Sequence, residues 1–484
     1  MPVTLIKNAA WVVAYDGEKH TYLNDADVAF DGNSIVHVGP GFAGAAETTI
    51  DGRGLLVMPG LVNVHSHPAS EPMTKGWNDE LGSQKLYQSS LYEFMPLFRA
   101  DAGGAPDPDD IPASATVAYS ELLLSGVTTL VDMSVAWKGW VDTFAASGLR
   151  GVLSPMFRSA RWFTKNGYVV EYEWAQDEGF AAMDAAMSVL DEAAKHPSGR
   201  MSGMVSPSQI DTCSPGLIKA AFDEAKRRNL PFQIHAAQSV VEFHEMTRRH
   251  GMTPVEWLGS LGVLSERSLI GHGIFLDHHS SAHWTRRDDI QDLVDTGTTV
   301  AHCPTVFQRR GITLRTFGEY VRRGVNMAIG TDTYPHNMIE EMRHVAIMSR
   351  VIAQDCYDVR SSDVFNAATL GGAKALGRSD IGRIAKGAKA DIVLVDVTHP
   401  SMRPVRDPVR SMIYAAAERA IRTVFVDGKK VVDGGKVLTM DLASACEKLE
   451  AAQRRAEAGV RQLDWASRDH LTISPLMFQA GQGK

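Results

Sequence analysis

The segment Met58-Pro-Gly-Leu-Val-Asn-Val-His65-Ser-His67 ends an apolar run on two histidines two residues apart. Side chains alternate faces along a strand, so His65 and His67 point the same way and can grip one metal ion from one side. With 17 His in 484 residues, a chance His-x-His pair is expected roughly 0.6 times, so the pair alone decides little. Four later segments add weight to it. Further His and Asp residues end apolar runs there: Gln233-Ile-His235, Leu269-Ile-Gly-His272, Val300-Ala-His302 and Ala328-Ile-Gly-Thr-Asp332. A buried strand end is a costly place for imidazoles and carboxylates unless something satisfies them. A divalent cation does. Three imidazoles and one carboxylate suit Zn2+, with Fe2+, Mn2+ or Co2+ as other candidates, at about one ion per chain. One position must stay open for water, which such an ion ionises near neutral pH into a nucleophile. Standing alone, each residue has a plainer reading: His235 or His302 as a core histidine, His272 as a turn residue, Asp332 as a helix N-cap. Their recurrence at the same end of successive strands favours the metal.

The elements that must position these residues emerge from the pattern. Residues 1–58 read as short strands broken by turns, with Asp31-Gly-Asn-Ser as a hairpin signal. From 59 to 385, eight apolar strand-like runs alternate with amphipathic helical stretches such as Pro215–Arg228 and Ser239–His250. The runs are Leu61–His65, Val127–Asp132, Gly151–Pro155, Met201–Ser206, Pro231–His235, Ser268–His272, Thr298–His302 and Val325–Asp332. Eight β–α units predict an α/β fold, a (β/α)8 TIM barrel, whose chemistry sits at the C-terminal strand ends. Strands return over 386–440, with Asp427-Gly-Lys as a second tight turn, and the two β segments are expected to pack as one composite β-sandwich. Residues 441–464 read as an amphipathic helix, and 441–484 as a helix with a tail. The stretch 78–110, with Pro, Gly and polar residues, is a candidate lid or a static helix over the barrel end.

Composition narrows the classes. Net charge is −8 with signs interspersed, and no basic run marks a nucleic-acid footprint. No apolar run approaches the roughly 20 residues that span a bilayer, and the N-terminus lacks a signal-peptide pattern. Four scattered cysteines without zinc spacing read as reduced thiols in a soluble cytoplasmic protein.

The chain resembles the amidohydrolase superfamily, in its cytosine-deaminase-like branch with S-adenosylhomocysteine deaminases, triazine hydrolases and phenylurea hydrolases. The motifs that carry the resemblance are Met58–His67, Lys75-Gly-Trp-Asn-Asp, Thr212-Cys-Ser-Pro215, Phe365-Asn-Ala-Ala-Thr-Leu-Gly-Gly-Ala-Lys-Ala-Leu-Gly and Ile381-Gly-Arg-Ile-Ala-Lys-Gly-Ala-Lys-Ala-Asp-Ile-Val-Leu-Val. It implies a mononuclear site with His65, His67, His235 and Asp332 as ligands. It implies that His272 bonds the attacking water or developing oxyanion, and that Asp332 moves a proton from water to leaving group. It also implies a homo-oligomer, a dimer or higher. Three positions depart from the branch's deaminases. Gln238 stands where they carry a glutamate that protonates a ring nitrogen, Ser208 where they carry a substrate-contacting histidine, and Cys303-Pro-Thr-Val-Phe replaces Asn-Pro-x-Ser-Asn. An amide cannot shuttle a proton at neutral pH.

The leading expectation is therefore hydrolysis of an amide, urea or carbamate bond in a small apolar molecule, whose carbonyl needs no ring protonation. Trp77, Phe157, Trp162, Phe307 and Tyr334 are candidate pocket walls, or ordinary packing, and Arg158, Arg161 and His302 candidate substrate contacts. The alternative is an aminohydrolase acting on a heteroaromatic ring, such as a triazine, purine or pyrimidine, with Asp332, His272 or another acid such as Glu242 delivering the proton.

Overall fold

The computed structural model describes residues 3–77, 86, 91–94, 97, 109–285 and 288–478. Eight strands carry its central part: β1 (Leu61–Ser66), β2 (Val127–Asp132), β3 (Arg150–Leu153), β4 (Met201–Gly203), β5 (Phe232–Ala236), β6 (Ser268–His272), β7 (Thr299–His302) and β8 (Met327–Ile329). They form two parallel four-stranded sheets, ordered β4-β3-β2-β1 and β5-β6-β7-β8. Isolated parallel bridges link the two sheets at both edges, Ser66 with Asp332 and Val205 with Phe232. β1, β2 and β5 are buried along their whole length. Parallel strands covered on both faces lose the alternation of half-buried strands, which is why these runs read as continuously apolar.

Helices follow the strands: α1 (Asp110–Leu124), α2 (Phe180–Lys195), α3 (Pro215–Arg228), α4 (Val240–His250), α5 (Met338–Ala353) and, near the C-terminus, α6 (Leu442–Leu463). The bounds of α3 are written in its ends. Ser214 Oγ accepts the Leu217 amide at 3.2 Å, Pro215 opens the helix, and Asn229 closes it at φ 54°. Ser239, expected inside α4, is instead its cap and accepts the Glu242 amide at 3.0 Å.

The terminal β segments interleave. A seven-stranded sheet joins Leu55–Pro59 antiparallel to Ile392–Asp396, so both segments share it. A four-stranded sheet of Ser34–Gly39, Ala26–Asp31, Val3–Ala9 and Thr48–Asp51 shares an apolar cluster with it through Ile6, Val28, Phe30, Val57, Leu394 and Phe425. The Asp427-Gly428 turn has both residues at positive φ, 53° and 76°, as a tight hairpin requires. Arg150 on β3 ties the strands to this layer through both oxygens of Asp391 (2.8 and 3.0 Å) and Asp427 (2.8 Å). One hairpin, Ala160–Phe163 with Glu171–Trp174, was not expected; Asn166-Gly167 in its loop was the overlooked turn signal. The candidate lid at 78–110 lies mostly outside the described residues.

Candidate metal centre and active site

The strand ends bring five of the predicted residues together. His65 is the penultimate residue of β1 with His67 just beyond the strand, His235 lies on β5, His272 ends β6, and Asp332 follows β8. The amide of Asp332 bonds the His65 carbonyl and the amide of His67 bonds the Asp332 carbonyl, both at 2.9 Å. Asp332 is thus part of the sheet edge and not a helix cap; Asn337 caps α5. Gly330 permits the approach, because a Cβ there would stand 2.6 Å from the Cβ and carbonyl oxygen of His65. Asp332 (φ 58°), His272 (φ 139°) and Ala237 (φ 57°) all occupy backbone that side chains rarely adopt. Strain of this kind persists where surroundings over-determine it, and it clusters at functional sites.

Hydrogen bonds fix the tautomers. His65 Nδ1 is 2.5 Å from Gln233 Oε1, His67 Nδ1 2.6 Å from the Met133 carbonyl, and His235 Nδ1 2.5 Å from the Ser208 carbonyl. Gln233 Nε2 donates to the Val64 carbonyl at 3.1 Å, which orients Oε1 toward His65. These oxygens only accept, so each Nδ1 donates and each Nε2 keeps a lone pair. The lone pairs converge with Asp332 Oδ1. His67 Nε2 is 3.1 Å and His65 Nε2 3.5 Å from that oxygen, and His235 Nε2 is 3.3 Å from His67 Nε2. His65 Nε2 is buried without a hydrogen-bond partner. Four acceptors meeting without a donor are unfavourable unless a cation stands among them. A tetrahedron with metal–ligand bonds of about 2.0–2.1 Å has edges of about 3.3 Å, so the donor set can hold a divalent cation.

Electrostatics agree. Burial opposes a charge on Asp332, but His272 and the adjacent His65 and His67 hold its carboxyl well below the usual range. Burial likewise opposes a charge on His67, yet Asp332 pushes its pKa up to about 9. The converging acceptors draw a proton as they would draw a metal. Burial, with neighbouring imidazoles adding to it, holds His235 and His272 well below the ordinary value, so both are neutral.

The remaining candidates scatter. His272 Nε2 is 3.8 Å from Asp332 Oδ2, and the Phe307 ring meets the His272 ring edge-on at 4.5 Å. His302 is buried at the end of β7, pushed by burial to about 3, with its ring 5.8 Å from Phe317. Tyr334 lies under the Arg309 guanidinium at 4.3 Å. Trp77 packs with Leu97, Val460 and Ile473, the packing reading the sequence had left open. Arg161 is exposed on the unexpected hairpin, opposite in facing to the buried Trp162; Arg158 is half-buried just before it. Gln238 is buried, and its Nε2 donates to Gln209 Oε1 at 2.6 Å. The oxygens of Glu242, considered as a proton donor, accept the amides of Ala237 (2.6 Å) and Gln238 (3.3 Å), while burial, with Asp211 adding to it, pushes its carboxyl well above the ordinary carboxylate range.

Sequence reasoning missed Gln233, Gln209 and Glu71, and named Cys303 only as a departure from the deaminase pattern. Gln233 had a signal, since it precedes His235 by two residues and shares its strand face. Burial pushes Glu71 up to about 7, against the opposing pull of His67 and with Asp332 adding to the rise. The Cys303 sulfur lies within 4.8 Å of ring nitrogens of His65 and His272. A cavity of about 590 Å3 bounded by Phe275, Ile312, Leu314 and Ile352 includes none of the clustered residues.

The Amidohydrolase family profile matches residues 56–431. The chain belongs to this family. It is 29% identical over 463 residues to the 5-methylthioadenosine/S-adenosylhomocysteine deaminase of Pelotomaculum thermopropionicum, covering 93% of this chain and 98% of that one. An adenosine deaminase from Xanthomonas campestris with bound zinc shares the fold at a TM-score of 0.77, with 24% identity over 94% of this chain and 98% of that one. An Arthrobacter aurescens atrazine chlorohydrolase complexed with zinc does so at 0.79, with 22% identity over 93% and 100%. As a member of the amidohydrolase family, the protein is a hydrolase acting on carbon–nitrogen bonds other than peptide bonds. No described helix is long and apolar enough to cross a membrane.

Proposed function

We propose that this hydrolase cleaves an amide, urea or carbamate bond in a small apolar molecule. The eight parallel strands close into one (β/α)8 barrel over 59–385, beside a composite sandwich of 1–58 and 386–440. His65, His67, His235 and Asp332 hold one divalent cation, most simply zinc, as in the solved relatives with zinc. When bound, such a cation supplies Lewis acidity and lowers the pKa of water. The rest is the work of the chain. Asp332 Oδ2, facing His272, takes a proton from the attacking water and returns it to the leaving nitrogen. Neutral His272 donates a hydrogen bond to the developing oxyanion, and Phe307 against its ring keeps bulk water away. Gln233 and the Met133 and Ser208 carbonyls keep the three ligand imidazoles turned inward.

The observation that carries the choice of bond is Gln238. Its amide is committed to Gln209 at 2.6 Å, so the position that protonates a ring nitrogen in related deaminases offers no acid. A carbonyl substrate needs none. Replacing it tests this: Gln238→Glu should lower hydrolysis of an aryl urea, and aminated heterocycles should be inert in the wild type. A wild type that already deaminates them overturns the proposal.

A second reading is an aminohydrolase acting on a heteroaromatic ring. The deaminase relatives favour it, and so does Glu71, whose carboxyl at about 7 is protonated often enough to serve as the acid.

A further inference from the structure

The C-terminal segment is built into the strand-end face. α6 lies along α1, and Gln453 Nε2 donates to the carbonyls of Met73 (2.7 Å) and Lys75 (2.9 Å) in the segment just after His67. Beyond α6, Trp465 Nε1 donates to Glu93 Oε1 at 2.7 Å, and Arg468 Nη2 reaches the same oxygen at 3.3 Å. Asp464 fixes that guanidinium at 2.6 Å. Glu93 is only 3% exposed, and these donors satisfy its buried Oε1.

The neighbouring residue points to the site. Tyr92 is fully buried, stacks edge-on with Trp162 at 5.0 Å, and its hydroxyl meets Ser239 Oγ at 2.8 Å. Ser239 comes directly after Gln238 and caps α4, from which Glu242 grips the amides of Ala237 and Gln238. Hydrogen bonds and chain neighbours thus alternate from the part-buried Trp465 and Arg468 contacts on Glu93, along the backbone to Tyr92, and through the Tyr92 hydroxyl to Ser239 beside Gln238. Trp77, Leu97, Val460 and Ile473 also share an apolar cluster that packs the C-terminal segment down. The polar run adds direction, because hydrogen bonds fix orientation where apolar contacts do not.

We propose that Glu93, Trp465 and Arg468 are positioning residues for the Gln238 edge of the active site, acting through Tyr92 and Ser239, so that the C-terminal segment helps set which substrates bind. The specificity part rests on the proposed role of Gln238 at the substrate. The test uses the full-length holoenzyme and the variants Trp465→Phe, Arg468→Met, Tyr92→Phe and the double variant Trp465→Phe/Tyr92→Phe. Amide hydrogen exchange at Ala237 and Gln238 needs no substrate. Each single variant should speed it about tenfold, and the double variant no further, because both interrupt one path. With phenylurea and 5′-deoxyadenosine as probes, KM for whichever is hydrolysed should rise about fivefold with kcat within about twofold, and metal content should not change. Arg468→Lys should recover part of the loss. Unchanged exchange in Trp465→Phe and Tyr92→Phe, or additive effects in the double variant, would overturn the positioning path. Faster exchange with unchanged KM would overturn its link to specificity. Faster exchange with neither probe hydrolysed would support the path and count against the proposed activity alone.

Discussion

Replacing Gln233 by leucine isolates the orientation of a metal ligand from the ligand itself. Gln233 is fully buried, and its Oε1 accepts from His65 Nδ1 at 2.5 Å. Leucine fills similar volume and removes the acceptor. With a cation on Nε2, the His65 proton must stay on Nδ1, where it becomes an unpaired buried donor costing about 1–3 kcal/mol. Without a cation the ring escapes, because the proton can move to Nε2 and face Asp332 Oδ1 at 3.5 Å. The cost therefore falls on the metal-bound form. Metal affinity should drop about 10- to 100-fold, the range seen when an orienting partner of a ligand histidine is lost. Metal-free stability should change by about 1 kcal/mol, since the Val64 carbonyl and the weakly accepting Met204 sulfur lose a donor there. Chelator competition measures the first and thermal melting of the metal-free protein the second. Gln233→Glu, which keeps an acceptor at the same place, should retain affinity. A leucine variant that binds zinc within threefold of wild type would refute the tautomer argument on which the ligand set stands.

Asp332→Asn should abolish turnover while the fold persists, and residual kcat within about tenfold of wild type would sink its proton-transfer role. In the metal-free protein, the His67 pKa of about 9 lies above its ordinary 6.5, so protons compete with the cation. Apparent zinc affinity should fall about tenfold per pH unit from 9 toward 7, with one proton released per ion, and a flat profile would contradict this. The same raised pKa stabilises the metal-free fold at low pH, and that stabilisation should be lost as pH rises through 9. Arg150→Met leaves two carboxylates, Asp391 and Asp427, facing each other where β3 meets the sheet layer. Urea unfolding should show a loss of about 3–5 kcal/mol, and a loss under about 1 kcal/mol would mean that this ion network does not join the layers.

Much of the site was legible because its residues end apolar strands. His235, His272 and Asp332 each stop a run that a parallel sheet buries, and the sequence itself marks that stop. The orientation of the ligands was less legible. Two of the three Nδ1 partners are backbone carbonyls, of Met133 and Ser208, and any residue type supplies one of those. Asp332 was read as a ligand only through its recurrence with the other strand ends, because a Gly-Thr-Asp run by itself also looks like a helix cap until its amide is seen bonded to the His65 carbonyl. Glu242 was named as a reserve acid, but its place over the two amides before the helix, where burial pushes its carboxyl well above the ordinary range, is not visible in the sequence. Trp77, left open between pocket wall and ordinary packing, meets residues almost 400 positions later in sequence, a contact no local pattern announces.

The most direct test is a product-resolved assay of the zinc-loaded protein on paired panels, aryl ureas, carbamates and amides against aminated heterocycles, with amine and ammonia read separately. Amine release from the first panel, with the second panel untouched, is the expected result. Ammonia release from the heterocycles with no amine from the ureas, carbamates or amides would contradict it and would move the proton donor from Asp332 alone to a second acid such as Glu71.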